Sequence, residues 1–169
     1  VVAHDADSYG GLYRSRDAGA TWLPADAGLF INASNAIAIN PMDSNHLLYG
    51  TDTRLLRSRN GGRDWQDQAA AVITGPVFCV AFGRDGRSAY AANGSGLFRS
   101  DDGDHWRGLD VPLTAMPVSQ IVVGQSRVYL AGNDGLYVGS ANGEDWSGPE
   151  KGLPEEAILA LVVAEANLT

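Results

Sequence analysis

The chain has 169 residues, 44% of them hydrophobic and 19% charged, with 21 Gly. That is the length of a single domain or of a repeat array counted as one, and the composition excludes a disordered tail or a low-complexity linker. The net charge of −8 disfavours nucleic acid and anionic membrane surfaces as partners, and the single cysteine, Cys79, excludes an internal disulfide framework or a structural zinc site. No apolar run reaches the roughly 18 residues of a membrane span, the longest being broken at Thr74, Gly75 and Pro76.

The elements recur in one order along the chain. A short apolar stretch (Ala36 to Ile39, Phe78 to Phe82, Ser119 to Val123) precedes a turn and a second stretch carrying Tyr49, Tyr90 or Tyr129. A Gly- or Asn-rich turn follows, then a strand beginning Leu12-Tyr13-Arg14, Leu55-Leu56-Arg57, Leu97-Phe98-Arg99 or Leu136-Tyr137-Val138. A tight polar turn then leads to a tryptophan. Trp22, Trp65, Trp106 and Trp146 stand 43, 41 and 40 residues apart. Four strands in a period near forty predict an all-β fold, a β-propeller of four-stranded antiparallel blades in which stacked sheets bury what none could bury alone.

The expected repeat units are 157–169 with 1–23, then 30–66, 76–107 and 117–147, in one propeller domain. Joining the C-terminal stretch from Ile158 to the N-terminal Val1-Val2-Ala3-His4 continues the repeat frame. The C-terminal strand is therefore expected to complete the first blade, although the residues after Pro154 also have helix propensity. Four repeats fit a small closed ring, half of an eight-bladed ring built by a homodimer, or a portion of a larger ring.

The tight turns read Ser15-x-Asp17-x-Gly19-x-x-Trp22, Ser58-x-Asn60-x-Gly62-x-x-Trp65, Ser100-x-Asp102-Gly103-x-x-Trp106 and Ser140-x-Asn142-Gly143-x-x-Trp146. Ser, Asp and Asn side chains accept turn N–H groups, Gly takes a positive φ, and Trp wedges the hairpin. The exchange of Asp for Asn suits hydrogen bonding and suits neither metal ligation nor acid–base catalysis. All sixteen of these residues are expected to be structural.

These four turns resemble the Asp box, or bacterial neuraminidase repeat, of sialidase-like propellers, a group that includes sialidases, xyloglucanases, sortilin-type receptors and photosystem II assembly factors. The resemblance implies the propeller fold, places the boxes at the periphery opposite the usual ligand face, and favours an extracytoplasmic location. It does not by itself imply chemistry. The sialidase Arg-Ile/Leu-Pro signature is absent, and the five glutamates (Glu144, Glu150, Glu155, Glu156, Glu165) crowd the end of the chain.

On the face opposite the boxes, the turns between the second and third strands supply the candidate ligand contacts: His4, Asp5, Asp7 and Tyr9, then Asp52, Asn93, Asn133 and Asp134. No catalytic residue, metal ligand or cofactor is assigned. The arginines beside the boxes (Arg14, Arg16, Arg57, Arg59, Arg63, Arg99) are expected to stack on Trp faces and to pair with Asp17, Asp64 or Asp101; the rival expectation is a basic strip for a partner. The reading is a non-catalytic recognition or scaffold module for protein or carbohydrate. Its alternatives are a piece of a sialidase- or xyloglucanase-like glycoside hydrolase, and an excised or designed repeat with no native ligand.

Overall fold

The structure is a computed structural model describing residues 2–4, 11–25, 29, 33–68, 71–112, 117–153 and 156–164. These residues contain no helix. Among them, fourteen strands form four antiparallel sheets. Blade 1 comprises β1 (Val2–His4), β2 (Gly11–Arg14) and β3 (Leu23–Pro24), and blade 2 comprises β4 (Ser34–Asn40), β5 (Asp43–Thr51), β6 (Leu55–Ser58) and β7 (Gln66–Asp67). Blade 3 contains β8 (Val77–Phe82), β9 (Ala89–Asn93), β10 (Gly96–Ser100) and β11 (Trp106–Leu109), and blade 4 contains β12 (Gln120–Val123), β13 (Arg127–Gly132) and β14 (Gly135–Ser140). Each sheet runs as a meander. The first strands of blades 2, 3 and 4 pack side by side, β4 on β8 and β8 on β12, so the blades stack in chain order.

The two-residue period of a strand explains the stacking. In β9, Ala89 and Ala91 join the core shared with Leu48 and Leu55 of blade 2, while Tyr90 and Ala92 turn to the core shared with Val128, Leu130 and Tyr137 of blade 4. The neighbouring β10 alternates likewise, Phe98 facing back and Leu97 facing forward. In β5, Leu48 faces blade 3 and Tyr49 faces the Leu12 and Ala25 of blade 1. These central strands are buried on both faces, which is why they read as continuous apolar runs. Gly50 marks a close approach of two blades. A Cβ there would lie 2.7 Å from the Val77 carbonyl oxygen, so a larger residue would push β5 off β8.

Two expectations about the last repeat need correction. Its fourth strand is reduced to a bridge between Val138 and Ser147, whose N–H groups donate to each other's carbonyls at 2.9 and 2.8 Å. Pro149 then interrupts the ladder because it has no N–H, and Glu150 resumes it by donating to Leu136 O at 2.8 Å. The C-terminal residues 156–164 are neither strand nor helix and do not pair with β1. Their backbone is taken by blade 4 instead. Ile158 N donates to Gly132 O at 3.1 Å, Leu161 N to Gln120 Oε1 at 2.6 Å, and the Ser119 hydroxyl donates to Ile158 O. Leu159 and Val162 are left 83% and 91% exposed. Residues 165–169 lie outside the described residues, and among the described ones β1 has a strand partner on one edge only.

Candidate functional site

A meander sends alternate connections to opposite ends of each blade. One end carries the β2–β3, β6–β7 and β10–β11 turns and the corresponding turn after β14; the other carries the turns after β1, β5, β9 and β13. The two ends differ in chemistry.

At the first end, Ser15, Ser58 and Ser100 each accept the N–H of the turn glycine on Oγ: Gly19 at 2.7 Å, Gly62 at 2.8 Å and Gly103 at 2.8 Å. Those glycines and Gly143 hold φ between 74° and 94°, a region that L side chains avoid. Asp17 accepts Thr21 N (2.8 Å) and its hydroxyl (2.6 Å), Asn60 accepts Arg63 N and Asp64 N (3.1 and 2.9 Å), and Asp102 accepts Asp104 N and His105 N (both 2.8 Å). The fourth turn is built differently: the Ser140 hydroxyl donates to Glu144 O at 2.6 Å, and Asn142 Oδ1 accepts Glu144 N at 3.2 Å. These donors hold the Asp17 carboxyl down to about 2, chiefly through the Thr21 hydroxyl, and Asp102 to about 2, chiefly through His105 N–H. Trp22 and Trp146 donate their indole N–H to Gly19 O and Gly143 O in their own turns, whereas Trp65 reaches back to Ala25 O of the preceding blade at 2.8 Å.

The arginines that stand one residue before the turn serine on β2, β6 and β10 do something the sequence pattern alone did not expose. Each crosses to the tight turn of the next blade. Arg14 donates to Gly61 O, Arg57 to Gly103 O (3.2 Å) and to the Asp104 carboxylate, and Arg99 to Asn142 O. Arg59 adds a second contact to Asp104 at 3.0 Å, and Arg99 also pairs with Asp101 at 2.5 Å and lies over the Tyr90 ring. Of the expected carboxylate partners, only Asp101 is used. Arg57 and Arg99 are spent within the molecule, which removes them from a partner-binding strip. The readable signal was the shared position of the three arginines one residue before the turn serine.

At the opposite end, His4 closes β1 opposite Gly11, while Asp5, Asp7 and Tyr9 lie outside the described residues. Asn93 is a turn cap: its Oδ1 accepts Ser95 N (2.8 Å) and Gly96 N (3.1 Å), and its Nδ2 donates to Thr74 O (2.9 Å). Asn133 is exposed, and Asp134 accepts the Tyr137 hydroxyl at 2.7 Å. Asp52 is not a cap of the Asn93 kind. Its N–H donates to Ala33 O at 3.3 Å, but its Oδ1 is shielded from solvent and has no hydrogen-bond partner. A shielded, unpartnered carboxylate oxygen is uncommon in a folded protein. Among the described residues, no group of three or more His, Cys, Asp or Glu is placed to hold a metal ion.

No family model and no curated protein matches the sequence. Solved structures do. An ancestral GH74 enzyme is 25% identical with a TM-score of 0.72, over 91% of this chain and 23% of that one. The GH74 xyloglucanase of Xanthomonas campestris is 22% identical with a TM-score of 0.56, over 72% of this chain and 24% of its own. The WD40 repeats of RRP9 are 15% identical with a TM-score of 0.58, over 72% of this chain and 39% of theirs. The protein is an all-β propeller-type chain, and it spans about a quarter of each of the two GH74 enzymes.

Proposed function

We propose that the chain is a glycan-binding portion of a GH74-like propeller, with the turns after β1, β5, β9 and β13 forming the contacting surface. The observation that carries this reading is the likeness to the ancestral GH74 enzyme along nearly the whole chain. Asp52 supplies the residue-level support: its side chain is only partly buried at that end of blade 2, and a carboxylate there can accept a sugar hydroxyl. Glycoside hydrolysis needs two carboxylates roughly 5 to 9.5 Å apart across the scissile bond. Asp134 sits two blades from Asp52 and is held by Tyr137, so it is a poor second member. In this reading Asp52 binds, and any hydrolytic pairing draws its second carboxylate from outside the described residues.

The test is affinity electrophoresis of the full protein in gels containing xyloglucan or mixed-linkage β-glucan, with a reducing-sugar assay run alongside. Retarded migration of the wild type, weakened at least fivefold by Asp52→Asn, is the expected result. Turnover abolished by the same substitution would promote Asp52 from binding to catalysis. Unretarded migration in both polysaccharides would end the glycan reading.

A further inference from the structure

The three junctions between blades use the same architecture with different charges. At the junction of blades 2 and 3, Arg57 and Arg59 of the earlier blade clasp the carboxylate of Asp104, the residue just after the turn glycine of the later blade. At the junction of blades 3 and 4 the corresponding residue is Glu144, 3.9 Å from Arg107. At the junction of blades 1 and 2 the corresponding arginines are Arg14 and Arg16, but the residue after the turn glycine is Arg63. Two guanidinium groups that elsewhere grip an acid here face a third cation.

The three arginines line one groove of about 350 Å³, with Ser15, Asn45 and Asn60 beside them. Among the described residues none of the three makes an ion pair. The nearby carboxylates are turned elsewhere: Asp17 to Thr21, Asp43 to Asn45 N at 3.0 Å, and Asp64 to the Asn60 amide at 2.6 Å. Burial, then the charges of Arg16 and Arg63, lower the pKa of Arg14, as expected where like charges meet without a counter-ion. Such uncompensated repulsion opposes closure of the junction, and planar guanidinium forks match oxyanions bidentately.

We infer that the groove between blades 1 and 2 binds an oxyanion, of sulfate, phosphate or carboxylate type, in the place that the Asp104 carboxylate fills one junction further on. The site lies at the opposite end of the blades from Asp52 and does not depend on the glycan reading.

The experiment is a thermal-unfolding titration of the full chain with millimolar inorganic sulfate, inorganic phosphate or glucuronate, each against chloride at equal ionic strength. A saturable rise in midpoint with an oxyanion, absent with chloride, is expected. Arg63→Asp restores the acid of the next junction: it should raise the midpoint at low salt and weaken the apparent oxyanion affinity at least tenfold. Arg16→Gln, at a surface position, should weaken it about threefold or more without the low-salt gain. Tighter response to glucuronate than to sulfate and phosphate assigns the site to an acidic sugar; the reverse order assigns it to a tetrahedral anion. No saturable response to any of the three, or wild-type affinity in both variants, overturns the inference.

Discussion

Trp22 and Trp106 occupy the same place in blades 1 and 3, as do Tyr13 and Phe98, yet the first member of each pair is 43% and 39% exposed and the second is 8% exposed in both cases. The residue types are alike and the local strands are alike. The difference is the neighbour: blade 3 leans on Leu48 and Leu55 of blade 2, while among the described residues no sheet stands before blade 1. In a stacked array, burial belongs to the interface between units rather than to the unit, and stability is close to a sum of such interfaces. A blade at an open end keeps its fold and loses its anchor.

The largest test of that contrast is truncation. Phe98→Ala should cost about 3 to 5 kcal/mol, the usual range for a large buried aromatic, whereas Tyr13→Ala should cost below about 1 kcal/mol. Urea unfolding of the two variants checks it, and equal losses would break the comparison. The same measurement sharpens it in a longer parent protein. If a preceding blade covers Tyr13 there, the Tyr13→Ala loss should rise toward that of Phe98→Ala.

Next in size is the link that ties one blade to the next. The Arg57 side chain is only 8% exposed, and it holds both a carbonyl and the half-exposed Asp104. Arg57→Ala strands that carbonyl and carboxylate and should cost on the order of 2 kcal/mol, discounted from the fully buried case because Asp104 reaches solvent. Arg59→Ala removes an exposed contact to the same carboxylate and should cost below about 1 kcal/mol. A double-mutant cycle with Asp104→Ala separates the pair from the hydrogen bond to Gly103 O.

The repeat and the strand order were legible in the sequence, because a period is a local property. The turn serines and glycines were legible for the same reason. Three features were not. The crossing of Arg57 to Asp104 joins residues 47 apart, and nothing in the local pattern says which blade an arginine will reach. The course of residues 156–164 depended on competition between two sets of acceptors, and Gly132 and Gln120 of blade 4 won over an edge of blade 1. On the opposite end, Asn93 and Asp52 looked equivalent as polar turn residues; only the hydrogen-bond inventory separates a cap from an unsatisfied carboxylate.

A smaller, pH-dependent effect comes from His46 at the start of the same junction. Its Nδ1 lies 3.2 Å from Asn40 Nδ2, its Nε2 is sealed without a partner, and its ring meets Phe82 edge-on. Burial, then the charges of Arg59 and Arg57, lower its pKa below the ordinary 6.5. The folded chain therefore prefers the neutral ring, and its contribution is present above about pH 6.5. As pH falls below 6.5 the unfolded chain binds a proton that the folded one refuses, and stability drops until the folded pKa is passed. His46→Gln should flatten the stability profile between pH 7 and 5. An unchanged slope would mean that the ring titrates freely and that the junction is looser than its packing shows.

The smallest expected effect concerns a buried thiol. Cys79 sits on β8 in the core between blades 3 and 4, with its Sγ 3.1 Å from Val118 O, and burial pushes the thiol up to about 12. At neutral pH almost no thiolate forms, so a maleimide should label the native chain only through opening of that junction. Labelling should therefore track unfolding of blades 3 and 4 and accelerate in Phe98→Ala only as far as the shared array loosens. Rapid labelling of the wild type would place the weak joint at the centre of the stack rather than at its blade 1 end, reversing the contrast between Trp22 and Trp106.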